Sequence, residues 1–278
     1  MSVDSRGLLG AVCLVTGAGS GIGRSVSQAF VRCGCHTILV DRDEAGLEAT
    51  IEEVQMDPKL YTKSVLDVLD DQAVEQLVED IPKQHGRLDF AINCAGINGK
   101  DCLFHDEPMD EIDKLLNINV RANIVLNRAE VKAMLLPKPD LPFNPPLGIS
   151  ALELERRTKL AQSFKGAIVN VASECGYRSI AGIPGSYTIS KHAMVGLTRV
   201  MGVKYGPLGI RTNGVAPGLI HTPMTNSTPN RDGVFLSIPQ RRIGYPHEIA
   251  DLALYLCSPE SSYVNGETVL IDGGSSQT

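Results

Sequence analysis

The feature that most constrains this chain is an alternation along its length. Apolar, β-branched runs of strand length recur, most of them separated by longer segments of helical period. Strands are expected at Ala11–Val15, His36–Val40, Tyr61–Ser64, Phe90–Cys94, Ala167–Ala172, Ile210–Ala216 and Thr268–Ile271. Their near-continuous apolar character suits strands covered on both faces, the condition of a parallel sheet built from βαβ units. Helices are expected at Ile22–Cys33, ended by Gly34, and at Asp43–Met56, with Asp43 as cap and Pro58 just beyond. Another is expected at Asp70–His85, where Pro82 should kink or end it, and others at Val120–Leu136, Tyr187–Tyr205 and His247–Leu256. No internal repeat or linker divides the chain, so residues 1–278 read as one domain.

One stretch breaks the rhythm. Five prolines between Pro137 and Pro146 precede a polar segment of helical character, Ala151–Phe164. Residues 137–164 are therefore expected to form a surface excursion, with a role at a substrate mouth or a subunit contact as the alternative.

Charge and cysteine usage exclude several functions. A formal net charge of -6, with no Lys/Arg cluster, offers no footprint for nucleic acid. The first apolar run, Leu8–Val15, is too short to span a bilayer and lacks the flanks of a secretory signal. Seven cysteines without a metal-ligand spacing read as thiols of a reducing compartment, which points to the cytosol and to no metal site.

Directly after the first strand comes TGAGSGIG, Thr16 to Gly23, with a helix beginning inside it. A glycine-rich turn lets backbone N–H groups approach a pyrophosphate, and the helix N-terminus adds a favourable partial charge. Gly17, Ser20, Gly21, Ile22 and Gly23 are thus candidate cofactor contacts, although such glycines also serve turns alone. The second strand ends in Asp41, 18 residues after Gly23, where a dinucleotide fold needs an acceptor for ribose hydroxyls. A carboxylate there repels a 2′-phosphate, so NAD is expected over NADP. Arg42 is the counter-evidence, because its guanidinium suits a phosphate.

Tyr187 and Lys191 stand at i, i+4 near the start of an expected helix, so both project from one face. An ammonium beside a phenol is expected to lower its pKa and fit it for proton exchange with a substrate oxygen. Fourteen residues before Tyr187, just past a strand, stands Ser173; Ser179 and Ser186 are the nearby substitutes.

Taken in order, these motifs resemble the TGxxxGxG, serine and YxxxK pattern of the classical short-chain dehydrogenase/reductase family, over nearly the whole chain to the closing DGG at Asp272–Gly274. The gap from Ser173 to Tyr187 is one residue longer than the commonest family spacing. The resemblance implies a single doubly wound, Rossmann-type α/β domain with a mainly parallel sheet of about seven strands. It also implies adenine contacts at Asp67 and Val68, and a turn after the fourth strand at Asn93, Ala95 and Gly96. There Cys94 replaces a common asparagine, with one side-chain hydrogen bond lost or rerouted. Pro217, Gly218, Ile220 and Thr222 match the family's turn at the nicotinamide. From its own residues, the segment 221–245, with Phe235, Leu236 and Ile238, is expected to cover the pocket as a substrate loop apolar enough for a non-ionic or bulky ligand.

The implied reaction is hydride transfer between NAD(H) and a secondary alcohol or ketone. Tyr187 moves the proton, and Lys191 tunes Tyr187 and contacts the cofactor ribose, so both are also cofactor contacts. Ser173 orients the oxygen, and Asn119 supports a water relay, with Asn117 and Asn123 close by. A small-molecule substrate and a cytoplasmic homotetramer are further expectations. The alternatives are a catalytically silent dinucleotide-binding sensor or scaffold, and reduction of an activated carbon–carbon double bond.

Overall fold

The computed structural model describes residues 8–100, 102–141, 145, 148–226 and 238–277. In chain order the elements are β1 (Val12–Thr16), α1 (Gly21–Arg32), β2 (His36–Asp41), α2 (Glu44–Glu52), β3 (Tyr61–Val65), α3 (Asp71–His85) and β4 (Phe90–Asn93). They continue with α4 (Met109–Leu116), α5 (Ala122–Met134), α6 (Ala151–Ser163), β5 (Gly166–Val171), α7 (Gly185–Tyr205), β6 (Ile210–Pro217), α8 (Pro246–Cys257) and β7 (Thr268–Ile271).

The seven strands form one sheet in the order β3-β2-β1-β4-β5-β6-β7, and every neighbouring pair is parallel. The sheet is thus wholly parallel, where the sequence pattern implied only mainly parallel. β1, β4 and β6 are buried along their entire length, as strands covered on both faces are, and β6 is so although it carries Arg211, Thr212 and Asn213. One apolar layer, with Phe30, Leu39, Phe90 and Leu256, lies where α1 packs on α8. The other, with Leu14, Ile38, Met134 and Ile168, lies where α3 packs on α5. Strand order reverses between β1 and β4, which opens a crevice beyond the carboxyl ends of those strands, the ligand position of open α/β sheets.

Three local features differ from the sequence expectation. Pro82 does not stop α3, which runs to His85 and closes at Gly86, left-handed at φ 76. A proline so near the end forfeits one hydrogen bond in a turn that is finishing anyway. α4 was not legible from the pattern, and the helix expected from Val120 begins instead in a π-helical turn, Asn117–Arg121, that joins α4 to α5.

The insert has a firm root and an exposed body. Lys138 Nζ is buried against Asp89 Oδ1 at 2.9 Å and donates to the carbonyls of Leu88 and Lys165. α6, capped by Ser150 accepting from Glu153 N at 3.2 Å, buries no residue. Pro142 and Pro146, like Phe235 and Leu236 of the expected substrate loop, lie outside the described residues. No described helix is long and apolar enough to cross a membrane.

Candidate active site

The glycine turn after β1 is required by geometry at two positions. Gly17 is left-handed at φ 69, and a Cβ there would stand 2.9 Å from Ala95 N. A Cβ on Gly23 would lie 2.0 Å from Gly17 O, so α1 could not pass over the turn. α1 also opens without a side-chain cap from Ser20 and without an acidic residue in its first turn. Its first amides therefore have no side-chain acceptor, and Ser20, Gly21 and Ile22 form the wall of a cavity of about 380 Å³.

Asp41 reaches the same cavity from the end of β2. Its Oδ2 accepts from Gly19 N at 2.9 Å and its Oδ1 from Asp43 N at 3.0 Å, so two backbone donors fix the carboxylate. Arg42 makes a long ion pair with Asp67, 3.9 Å, on the same rim, and Val68 lies beside it. Arg24 braces the turn from behind, donating to Gly19 O at 2.7 Å and to Thr50 Oγ1 at 3.1 Å.

Around the other end of the cavity stand Ser173, Tyr187 and Lys191. Ser173 follows β5 and caps a short 3₁₀ turn, its Oγ accepting from Cys175 N at 3.2 Å and donating to Pro217 O at 3.5 Å, and it lines the cavity together with Tyr187. Ser179 and Ser186 do not reach the cavity: Ser179 is exposed, and Ser186 is buried against Glu107. Burial pushes the Tyr187 phenol above its ordinary range, with Cys175 adding to the rise and the Ser173 hydroxyl opposing it. Burial pulls Lys191 down to about 8. The sequence expectation that Lys191 lowers the phenol's pKa is not met here, since Nζ stands 5.5 Å from the ring centroid and donates to Val171 O at 3.0 Å.

Two expected residues stand off the cavity wall. Asn93 faces the sheet interior, donating at 3.2 Å to Glu130 Oε2 and at 3.2 Å to Asn170 Oδ1. Asn119 sits in the π turn behind Gly96, its amide accepting from Ile97 N at 2.8 Å and donating to Ile97 O at 2.9 Å and Ser190 Oγ at 3.1 Å. π turns of this kind recur at functional sites. Asn117 is exposed, and Asn123 bonds the Asn119 carbonyl at 3.0 Å. The turn around Cys94 survives the missing asparagine, with Ala95 N donating to Thr16 Oγ1 at 3.3 Å.

Pro217, Gly218, Ile220 and Thr222 all line the cavity, with Ala95 and Gly96 opposite. Met224 and Thr225, within the expected substrate loop, also line it, and sequence reasoning missed Leu66, Ile97 and Ile118, which do so as well. Single apolar residues outside a periodic face carry no spacing signal. The one available pointer was their adjacency to motifs already recognised.

A crevice at the sheet's reversal, with uncapped helix amides and a fixed carboxylate at one end and a hydroxyl, phenol and ammonium at the other, defines a nicotinamide-dependent oxidoreductase. The chain belongs to the short-chain dehydrogenase/reductase family. The family model described as short chain dehydrogenase matches residues 11–139, and one described as Enoyl-(Acyl carrier protein) reductase matches residues 150–276. A 3-oxoacyl-(acyl-carrier-protein) reductase of Thermotoga maritima is 34% identical over 271 residues, covering 96% of this chain and 98% of that protein. Levodione reductase of Leifsonia aquatica is 36% identical over 279 residues, covering 95% and 94%. A crystal structure of levodione reductase superposes with a TM-score of 0.82 at 33% identity, covering 97% of this chain and 99% of that one.

Proposed function

We propose that this chain is an NAD(H)-dependent dehydrogenase that interconverts a secondary alcohol and a ketone. The observation that carries the proposal is the convergence of Ser173, Tyr187 and Lys191 on one cavity whose far end holds Asp41. When bound, the nicotinamide donates or accepts the hydride. The Gly17–Gly23 turn would hold the pyrophosphate, Asp41 the adenosine ribose, Asp67 and Val68 the adenine, and Pro217, Gly218, Ile220 and Thr222 the nicotinamide end.

Each side chain then has a task. Tyr187, buried and protonated, donates its proton to the developing alkoxide during ketone reduction and recovers it from solvent afterwards. Ser173, on the same cavity wall as that phenol, orients the substrate oxygen. Lys191 presents a buried charge beside the phenol ring, and Asn119 keeps the Ile97 loop in place behind it. The preference for NAD rests on charge: Asp41 would face a 2′-phosphate, and Arg42, the guanidinium on the cavity wall, is paired with Asp67.

Met224, Ile97 and Ile220 give the substrate end an apolar lining, which suits a largely non-ionic ligand. A cytoplasmic homotetramer belongs to the same proposal. The exposed Val200 and Val203 on α7 offer apolar surface for self-association.

Initial rates with purified protein, a panel of cyclic and aryl ketones, and NADH or NADPH test the proposal. Turnover with NADH exceeding that with NADPH supports it. Tight NADH binding with no turnover of any ketone or alcohol would favour the silent sensor.

A further inference from the structure

Helix α7, which carries Tyr187 and Lys191, begins without a cap of its own. Pro184 occupies the cap position, where it has no hydroxyl or carboxylate to offer, and the first turn holds no acidic residue. The missing acceptor comes from elsewhere in the chain. Glu107, between β4 and α4, accepts from Ser186 N at 3.2 Å through Oε2 and from the Ser186 hydroxyl through Oε1. Ser186 is buried and directly precedes Tyr187.

Packing holds the same loop on the same turn. A Cβ at Gly185 would lie 2.5 Å from Phe104 Cδ2, and one at Gly99 would lie 3.2 Å from Pro184 Cγ, so both glycines permit close docking. The loop's other end is tied down through Ile97, whose N–H and carbonyl both bond the Asn119 amide.

We propose that Glu107 is a positioning residue for the dehydrogenase reaction: capping α7 from a distant loop, it fixes the Tyr187 side chain in the cavity that Ser173 also lines. The assignment rests on the dehydrogenase function proposed above. Helix ends fray because their first amides lack partners, and Tyr187 is the third residue of α7, inside the turn that would fray. A carboxylate there satisfies an amide and complements the positive end of the helix dipole. Neither Glu107 nor Ser186 lines the cavity, so the effect passes through the placement of Tyr187.

Hydrogen exchange of the peptide covering residues 184–190, measured beside steady-state kinetics for Glu107→Ala and Glu107→Gln, tests the proposal. Glu107→Ala is expected to speed exchange in that peptide and lower kcat, each by roughly tenfold, with the KM for NADH and Tm close to those of the unaltered enzyme. Glu107→Gln, which keeps an oxygen for Ser186 N–H, should restore most of both. Unchanged exchange, or faster exchange with kcat intact, would overturn the proposal. So would a general rise in exchange with a fall in Tm, which would make Glu107 a scaffold residue only. A local exchange response in a protein that turns over no substrate would leave the cap standing and overturn the reaction assigned to it.

Discussion

The ammonium of Lys191 stands over the ring of Tyr187, 5.5 Å from its centroid, while its hydrogen bond goes to the Val171 carbonyl. Burial governs both groups, raising the phenol and pulling the lysine down to about 8. Lys191 is therefore the member of the pair that changes charge near neutrality. Ketone reduction is expected to be flat on the acid side and to decline as pH rises through about 8, where the buried charge is lost. A rate profile flat to about pH 10, the ordinary range of lysine and tyrosine, would contradict this assignment.

Asp41 is held by two backbone donors, so it cannot swing aside without breaking them. Asp41→Ala is expected to shift the ratio of NAD to NADP affinity toward NADP by at least about tenfold, because the repulsive charge is gone. Fluorescence titration of both reduced cofactors reads the ratio. An unchanged ratio would show that selection lies elsewhere, with Arg42 the first place to look.

Glu130 is sealed in the layer between α5 and the sheet, with Oε2 bonded to Asn93 and Oε1 unpartnered among the described residues. Burial pushes its carboxyl up to about 8. The folded state thus keeps a proton that the unfolded chain has released. Stability is expected to fall as pH rises from the ordinary carboxylate range to about 8, and the Glu130 contribution should then level off. Glu130→Gln removes this slope and should be the more stable protein at alkaline pH, by an amount on the order of a few kcal/mol. Urea midpoints of both proteins across that range decide the matter, and parallel curves would refute it.

Lys138 and α6 separate the insert's root from its body. Lys138→Met leaves Asp89 with Arg87 and Val12 N as partners and should cost about 2 kcal/mol, since it removes one cation from a buried cluster. Polar replacements at Leu152 or Leu160, both exposed on α6, should stay within about 0.5 kcal/mol. Denaturant unfolding separates the two, and a large loss from the α6 changes would mean that the helix is covered in the assembled protein.

Much of this was legible in the sequence because backbone demands leave residue signatures. Each strand was placed to within one residue at either end, since short runs rich in β-branched and apolar residues, bounded by turn residues, mark strands. Gly17, Gly23 and Asp41 were identifiable because a tight turn and a ribose acceptor need those residue types at that spacing. α4 escaped notice because its eight residues bury only Leu115, too little to set a period. Asn93 was assigned to the cofactor although its side chain points into the sheet interior, as a strand's alternation permits for either face. The direction of the Tyr187 pKa was beyond the sequence, because spacing reports proximity to Lys191 and says nothing about burial.

The central claim is hydride transfer with Tyr187 as the proton donor. The most direct measurement follows deuterium from NADH labelled at both C4 positions into the alcohol formed from an accepted ketone. The account predicts one deuterium at the carbinol carbon in the unaltered enzyme, and Tyr187→Phe slowed by at least about a hundredfold while still binding NADH. Alcohol formed without the label, or a Tyr187→Phe variant as fast as the unaltered enzyme, would contradict it.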